Sequence, residues 1–449
     1  IWVNKDEIPN NGIDDDKNGF VDDIHGWNFL GNAEGENIVM ANLESTRIYR
    51  QYRDKFEGRN ASSFSGEELK LFQLYNDARN AVLAERKEMQ NYQEIIDQIA
   101  ETYTIIEEIL AKEFGGTDFT KEEVEALQTS DMRLKEARRI YLLLAEDGID
   151  GEGIAKQQEQ ISERLDYHLN LNYNSREEIL GDDLSSLDYG EYGNNDVIGG
   201  KENAEHGTHV AGIVAADRGN DLGVEGIATD VQIMVLRTVP NGDEMDKDVA
   251  NSIRYAVENG ANIINMSFGK SFSPHSEMVA EAIKLAEEKG VLLVHAAGND
   301  ANNNDETGNY PNDLMGGSSI WVEVGASDAE KGLSMVADFS NYGFSSVDVF
   351  APGVDIYSTL PSDEYGKRSG TSMASPVVAG VAALIWSYYP ELSAAELKEV
   401  LQSSAVYHGK QKVYRPTEGG KKKKTRFKKL SATGSIINVD EAIKRAETM

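Results

Sequence analysis

The alternation of short strands with amphipathic helices after Gly199 and Gly200 is the feature that most constrains the fold. Helical patterns at 246–259 and 276–289 separate runs of β-branched residues. Such alternation predicts a mostly parallel sheet with helices on both faces, an α/β fold. Catalytic or ligand-binding loops are then expected at the carboxyl ends of the strands. The predicted strands are Val231–Leu236, Ile263–Met266, Val291–Val294, Ile320–Val324 and Val347–Phe350.

Charge and cysteine content exclude several kinds of function. The 449 residues carry a net charge of −33 and include no cysteine. Such an acidic chain is repelled by phosphate polymers and anionic membranes, so we expect no nucleic-acid partner. Without cysteine there is no disulfide, thiolate nucleophile or cysteine-based zinc site. We identify no apolar run of the roughly 18 residues that a membrane span needs, and no signal peptide.

An acidic loop near the start of the chain suggests a cation site. Asp14, Asp16, Asn18 and Asp22 place oxygen atoms at intervals around one loop, and Gly19 permits a tight turn. Hard cations such as Ca²⁺ prefer such ligands, although the order differs from that of an EF-hand loop. The alternative is a polar turn whose side chains bind their own backbone.

Residues 36–195 have the composition of a helical insertion. A capping box at Ser65–Glu68 predicts the start of a helix that continues to Gly115 and Gly116. Its apolar residues are spaced by alternating steps of four and three, as in a coiled coil. This stripe consists of Leu71, Tyr75, Ala78, Val82, Met89, Tyr92, Ile96, Ile99, Tyr103, Ile106 and Leu110. A second stripe can return antiparallel to it, and it consists of Leu134, Ala137, Tyr141 and Leu144.

The role of this helical arm has two interpretations. In the first, the arm packs only on itself. In the second, it binds a protein partner or a second copy of the chain, and only its length favours that interpretation. We divide the chain into residues 1–35, which begin the main domain, the insertion at 36–195, and the main part at 196–449.

Three segments carry the chemistry. Gly370-Thr371-Ser372 leads into a helix of small apolar residues, so the serine hydroxyl lies at the positive end of a helix dipole. His206 lies in Glu205-His206-Gly207-Thr208-His209, and an imidazole can serve as the base that a hydroxyl nucleophile needs. Asn299 follows a buried strand, and its amide can donate to a developing oxyanion.

These segments resemble, in order and surroundings, those of the subtilisin family of serine peptidases. The resemblance covers residues 197–442, and it implies that Ser372 is the nucleophile, His206 the base, and Asn299 an oxyanion donor. It also implies that polypeptides are the substrates and that the enzyme is bacterial and acts outside the cell, in the periplasm or at the cell surface. By the same resemblance, two short segments bind the substrate: Ser267, Phe268 and Gly269, and Ala296, Ala297 and Gly298.

One departure from the family concerns the third catalytic group. The family carries an aspartate on a buried strand before the histidine, followed by Ser or Thr and then Gly, and this chain has no such stretch. Because Ile1–Asn4 resembles the segment after that strand, we expect the chain to begin just downstream of it and to be weak or inactive alone. The alternatives are a catalytically dead binding scaffold or a stand-in carboxylate from Asp182, Asp183 or Asp196.

Two further expectations concern the tail and the arm. The basic run from Lys421 to Lys429 is interpreted as a solvated loop. A third functional hypothesis makes the helical arm an interaction module that delivers the peptidase domain. No organic cofactor is expected.

Overall fold

A mostly parallel sheet organises the larger of the two units into which the chain divides. In this computed structural model the described residues are 1–181, 192–313, 317–417 and 422–449, without the side chain of Glu202. The larger unit comprises residues 1–44 and 175–449, and the smaller unit comprises residues 45–174. The smaller unit is therefore an insertion in the sequence of the larger one.

The strands all belong to the larger unit. They are β1 (Gly26–Asn28), β2 (Val235–Arg237), β3 (Ile263–Met266), β4 (Leu292–Ala296), β5 (Trp321–Ser327), β6 (Val349–Pro352), β7 (Ile356–Leu360), β8 (Glu364–Arg368), β9 (Val406–Tyr407), β10 (Lys412–Arg415), β11 (Lys423–Arg426) and β12 (Ser435–Ile436).

The helices belong to both units. They are α1 (Glu44–Phe56), α2 (Gly66–Phe114), α3 (Lys121–Ala126), α4 (Met132–Glu146), α5 (Gly151–Glu163), α6 (Glu205–Ala215), α7 (Asp246–Glu258), α8 (Ser276–Lys289), α9 (Asn304–Thr307), α10 (Thr371–Tyr388), α11 (Ala394–Ser403) and α12 (Val439–Ala446).

The predicted α/β fold is confirmed by the strand order. The main sheet runs β3-β4-β5-β6-β12-β9 and is parallel except between β12 and β9. Four of the five predicted strands match β3 to β6 closely, because apolar β-branched runs suit strands buried on both faces. The fifth prediction is shifted, since β2 begins at Val235 rather than at Val231.

Helix α10 forms the centre of the core beneath this sheet. Its residues are mostly small, which allows close approach, and an added Cβ at Gly380 would lie 2.9 Å from the Cβ of Ile227. The Ser375 hydroxyl donates to the Val294 carbonyl of β4 at 3.3 Å. Among the described residues, α10 is the one helix long and apolar enough to cross a membrane, but 61% of it is buried inside the protein.

One edge of the main sheet is open at β3. Strand β2 pairs in parallel with β1, and within the described ranges no ladder of hydrogen bonds joins β2 to β3. Ile233, just before β2, packs against the same core as Ile263 and Ile264 of β3. The apolar strand β3 is only half-buried over its first three residues, whereas β4 is buried throughout. The space beside β3 thus has apolar walls and unpaired backbone groups.

The smaller unit is built on the long helix α2. Helices α4 and α5 pack against α2 in reverse order, since Leu134 lies near Leu110 whereas Ile154 and Ile161 lie near Ile96. The predicted long helix and its antiparallel return are therefore present. The buried stripe differs in part: Phe72 is buried instead of Leu71, and Tyr92 is 40% exposed.

The predicted capping box at the start of α2 is wrong. Ser65 is the N-cap residue, but its side chain accepts no hydrogen bond from the helix. Gly66 has a φ of +58°, so the backbone turns into a left-handed conformation at the first helical residue. A capping box needs that hydrogen bond, so the helix begins without one.

We predict that Gly353→Ala destabilises the protein by about 1–3 kcal/mol, because an overpacked methyl group forces backbone to move. The added Cβ would lie 2.7 Å from the Ala326 Cβ and 2.8 Å from the Gly370 carbonyl oxygen. Urea unfolding measures the change. The control is Gly116→Ala, where an added Cβ meets no atom within 4 Å. Equal stability of the two variants would contradict this prediction.

Candidate active site

The start of α10 places Ser372 beside the end of strand β3. The Ser372 hydroxyl donates to the Ser267 carbonyl oxygen at 3.1 Å, and the Ser267 hydroxyl donates to the Ser372 carbonyl oxygen at 2.9 Å. Ser372 is half-buried and lies in the first turn of the helix, where backbone N–H groups have no helical partner. A developing negative charge next to this hydroxyl would meet the positive end of the helix dipole.

The side chain of Asn299 faces the same turn. Its Oδ1 accepts from the Thr371 N–H at 2.8 Å and from the Thr371 hydroxyl at 3.1 Å. Because Oδ1 is occupied in this way, the Nδ2 group is the free end of the amide. Within the described part of the chain no hydrogen bond engages Nδ2, and Asn299 is exposed. The Asn299 amide is therefore held with its Nδ2 donor available beside the first turn of α10, which carries Ser372 and which we call the serine turn.

His206 lies in the first turn of helix α6, which other elements hold in place. Helix α6 packs against α10, and hydroxyls of β7 bind its backbone: Thr359 donates to the Thr208 carbonyl and Ser358 to the His209 carbonyl, both at 2.8 Å. The His209 ring is fully buried, and its Nε2 lies 3.1 Å from the Gly366 carbonyl oxygen. His209 thus ties the helix to the β7–β8 hairpin.

The environment favours a neutral imidazole at position 206. Although His206 is exposed, partial loss of hydration lowers its pKa from the ordinary value, and the neighbouring His209 lowers it further, while Glu205 opposes the shift. The Glu205 carboxylate is also paired with the guanidinium of Arg368. A neutral imidazole can accept a proton, as a general base must.

The structure holds His206 and Ser372 on neighbouring helices without a direct bond. Over residues 1–181, 192–313, 317–417 and 422–449, no hydrogen bond joins the Ser372 hydroxyl to the His206 ring, because that hydroxyl donates to Ser267. Of the three stand-in carboxylates, Asp182 and Asp183 lie outside the described residues. The Asp196 carboxylate accepts from the backbone N–H groups of Ile198 and Gly199 and from the amide of Asn37.

The two predicted substrate-binding segments lie on either side of Asn309. An added Cβ at Gly269 would lie 2.5 Å from Asn309 Oδ1, and one at Gly298 would lie 3.7 Å from Asn309 Cγ. The Asn309 Nδ2 donates to the Ala296 carbonyl at 3.1 Å. Ala296 and Ala297 are both buried, and Ala297 belongs to a core cluster with Tyr342 and Phe350. Asn309 therefore occupies the space between the two segments.

Sequence reasoning did not identify several polar residues that support this site. The Asn265 amide donates to the Ser267 hydroxyl at 2.9 Å, and its Oδ1 accepts from Ser375 at 2.8 Å. Asn341 is buried, and its Oδ1 accepts from the N–H groups of Asp300 and Asn302. A signal for Asn265 exists, because polar residues at positions 265 and 267 alternate with apolar ones and must share one face of the strand. Asn341 lies in a loop without such periodicity.

The acidic loop brings together a carboxylate set that differs from the predicted one. Ligand atoms of Glu7, Asp14 and Asp16 all lie within 4.8 Å of one another. Asp22 is turned elsewhere, since its carboxylate accepts from the N–H groups of Asn11 and Gly12. The Asn18 side-chain amide group donates to Asp16 at 3.1 Å and to Asp23 at 2.9 Å.

Comparisons with known proteins agree with this geometry. The model of the Subtilase family matches residues 144–432. A thermophilic serine proteinase of Bacillus sp. (strain AK1) is 44% identical over 184 residues, which are 40% of this chain and 42% of that protein. Subtilisin DY of Bacillus licheniformis is 39% identical over 213 residues, which are 46% of this chain and 74% of that protein.

A third relative is named as acting inside the cell. The major intracellular serine protease of Bacillus subtilis (strain 168) is 39% identical over 211 residues, which are 45% of this chain and 62% of that protein. The chain thus spans between about two fifths and three quarters of the length of these relatives. Since the family model matches more than half of the chain, the protein belongs to the subtilase family of serine peptidases.

Proposed function

We propose that the protein is a serine endopeptidase that hydrolyses peptide bonds through an acyl-enzyme at Ser372. The observation that carries this proposal is the orientation of Asn299, whose Oδ1 is held by Thr371 so that Nδ2 is free beside the serine turn. A donor fixed before the reaction stabilises an oxyanion without reorganisation. Family membership and the polypeptide substrates of the family support the same conclusion.

The chain's own residues divide the reaction between them. Ser372 Oγ bonds to the carbonyl carbon of the substrate, and its proton moves to the ring of His206. The carbonyl oxygen takes up the negative charge next to Asn299 Nδ2 and the Ser372 N–H. When the C–N bond breaks, His206 returns the proton to the leaving amine. Water then releases the acyl group by the same steps in reverse order, with His206 again as the base.

The bond between Ser372 and the Ser267 carbonyl must be exchanged for one with His206 before attack. Catalytic hydrogen bonds often form only when substrate is bound. Substrate backbone that pairs with the segment Ser267–Gly269 would compete for the Ser267 carbonyl and release the hydroxyl. Substrate binding itself would then activate the nucleophile.

A carboxylate that orients His206 is the part that the chain does not supply in family order. The family carries it on a buried strand, and the open side of β3 offers unpaired backbone and apolar walls to one further strand. We infer that this strand completes the enzyme and that residues 1–449 alone are weak or inactive. In the alternative function, a binding scaffold, the cleft would bind polypeptide without cleaving it.

The proposal also covers the cellular location of the protein and its protein partners. The resemblance to the subtilisin family supports action outside the cell, in the periplasm or at the cell surface, although one relative is named as intracellular. Residues 45–174 form their own compact unit, which supports a role for the arm in binding a protein partner or a second copy. Light scattering of the protein with and without the arm tests self-association.

We predict that Ser372→Ala abolishes both proteolysis and covalent labelling by a serine-directed organophosphorus reagent. Asn299→Asp keeps the acceptor for Thr371 but replaces the donor with a negative charge. It should lower kcat by at least about 10²–10³, the loss known for removal of this donor in subtilisin itself, and leave the unfolding midpoint unchanged. Both are measured on the protein as the cell makes it, with an unfolded polypeptide as substrate.

The matched control is Asn220→Asp, an exposed residue whose Oδ1 also accepts from a backbone N–H, that of Leu222. We expect its kcat to stay within about twofold, because surface changes have small effects. Cleavage that survives Ser372→Ala would contradict the peptidase proposal. Binding of polypeptide without any cleavage by the unaltered protein would favour the scaffold.

We predict that the His206 ring titrates below the ordinary histidine value of about 6.5. Since this partial loss of hydration lowers the pKa of His206 in the folded state, the unfolded chain takes up the proton first as the pH falls. The contribution of His206 to stability is therefore present above pH about 6.5 and is lost on acidification. NMR titration of the imidazole C–H groups measures the midpoint, and His206→Gln assigns the resonance. A midpoint above 6.5 would contradict the inferred loss of hydration.

We also propose that the acidic loop binds Ca²⁺ through Glu7, Asp14 and Asp16. Glu7 is buried, and its carboxylate accepts from the N–H groups of Asp15 and Asp22, so the backbone holds it in place. Three converging carboxylates repel each other unless a cation lies among them, and oxygen ligands suit calcium. The remaining predicted ligands, Asn18 and Asp22, would support the loop rather than the ion.

Removal of calcium should therefore destabilise the protein. A calcium concentration about 100-fold above Kd contributes about 2.7 kcal/mol, which corresponds to a loss of roughly 3–4 °C in Tm on chelation for a protein of this size. Differential scanning calorimetry with and without chelator measures it. Asp14→Asn should remove the calcium-dependent part, whereas Asp118→Asn, an exposed residue of the arm, should retain it. A Tm that does not respond to chelator would contradict the calcium site.

A further inference from the structure

A concentrated basic surface stands out on this acidic protein. Strands β10 and β11 form a two-stranded antiparallel ribbon that leads into a short turn at Phe427–Lys429. Apart from the half-buried Arg415, the cations of the ribbon and the turn are exposed, and in the described parts of the chain none of these exposed cations forms an ion pair. We define the basic surface as Lys412, Lys422, Lys423, Lys424, Arg426, Lys428 and Lys429.

The ribbon keeps like charges directly opposite each other. In the register of the two strands Lys412 faces Arg426, and Arg415 faces Lys423. Like-charged cross-strand pairs are destabilising, and a two-stranded ribbon has little stability of its own. The fold offsets this cost by burying Val413 and Phe427 completely. A carboxylate at one position of each pair would stabilise the ribbon, yet both positions carry cations. A bound anion would reduce the repulsion between these cations.

The ring of Tyr414 lies close to two of these cations on one face of the ribbon. The Nζ of Lys422 lies 5.3 Å from the centre of the Tyr414 ring, and the Nζ of Lys424 lies 5.9 Å from it. Contact with the ring holds both ammonium groups without neutralising their charge. Positive potential therefore concentrates above this strand pair.

A recess with aromatic walls adjoins the turn. Its volume is about 570 Å³, and its lining includes Phe344, Tyr407, Lys428 and Lys429. Phe344 is 61% exposed and Tyr407 is 55% exposed, which is unusual for two large rings that share one recess. The carboxylate in the lining, Asp305, already accepts from the N–H groups of Phe344 and Ser346. Both lysines are therefore available to a ligand.

We propose that the basic surface and this recess bind an acidic polypeptide segment that carries an apolar or aromatic side chain. Its carboxylates contact the lysines of the ribbon, and its apolar side chain enters the recess between Phe344 and Tyr407. A short peptide feels only the charges within a Debye length of about 8 Å, so the local cations decide its binding. A long nucleic acid would extend over the rest of a protein whose net charge is −33. The surface is separate from the Ser372 cleft and does not depend on catalysis.

The experiment measures binding by the full chain with Ser372→Ala, which prevents cleavage of the probe. The probe is a dye-labelled ten-residue peptide of glutamates with one central tryptophan, followed by fluorescence anisotropy. We expect saturable binding that weakens at least tenfold between 50 and 300 mM salt. The double variant Lys424→Glu/Arg426→Glu should weaken binding at least tenfold. Phe344→Ala should weaken it several-fold for this peptide and leave a peptide without tryptophan unaffected.

A matched charge control separates local from global effects. Lys284→Glu/Lys289→Glu changes two exposed lysines of α8 and alters the net charge by the same amount. It should leave Kd within about twofold. If it weakens binding as much as the ribbon variant, or if no peptide binds at low salt, the proposal is overturned and the lysines only protect an exposed ribbon edge from pairing. Tighter binding of a single-stranded oligonucleotide of equal charge would also overturn it.

A second variant tests the proposal even if Lys424→Glu/Arg426→Glu folds poorly. Lys424→Gln/Arg426→Gln adds no new charge, and its Arg426→Gln change removes the repulsion between Lys412 and Arg426, so we expect this variant to be about as stable as the unaltered protein. It should still weaken binding about threefold to tenfold. Full affinity in this stable variant would overturn the proposal.

Discussion

The reciprocal hydrogen bonds between Ser267 and Ser372 join the end of strand β3 to the start of helix α10. They decide where the unpaired N–H groups of the helix point, and hence where an oxyanion could be stabilised. Asn265 supports both partners, since it binds the Ser267 hydroxyl and accepts from Ser375. The serine turn is therefore positioned by polar side chains on one face of a strand that is otherwise apolar.

A second constraint shapes the walls of the active-site cleft: two glycines pack closely against two side-chain amides. Gly298 has a φ of +102°, and an added Cβ there would lie 2.4 Å from the Asn341 amide. Gly269 has the same relation to Asn309, at 2.5 Å. In both cases the missing side chain leaves space for an amide that hydrogen-bonds to backbone: Asn309 to the last residue of β4, and Asn341 to the loop that follows β4. Replacing either glycine would move the loop that carries Asn299.

Charge acts locally in this protein although the total is strongly negative. Three carboxylates meet in the loop of Glu7, Asp14 and Asp16, and seven cations meet on the basic surface. Opposite charges cancel at long range in water with salt, but clusters of one sign keep their effect within a few ångströms. The larger unit thus carries one local cluster of each sign.

The sequence alone determined the elements and the chemical groups. The strands β3 to β6, the helix from Gly66 to Phe114, and the segments of His206, Asn299 and Ser372 all have local patterns, because periodicity and turn residues act between near neighbours. Asn309 and Asn341 have no such pattern, and neither does the proximity of Glu7 to Asp14 and Asp16. Only the tertiary structure decided these features, together with the open edge at β3 and the like charges across the ribbon. The physical reason is that they are contacts between residues far apart in the chain, and packing of whole elements, rather than local spacing, brings such residues together.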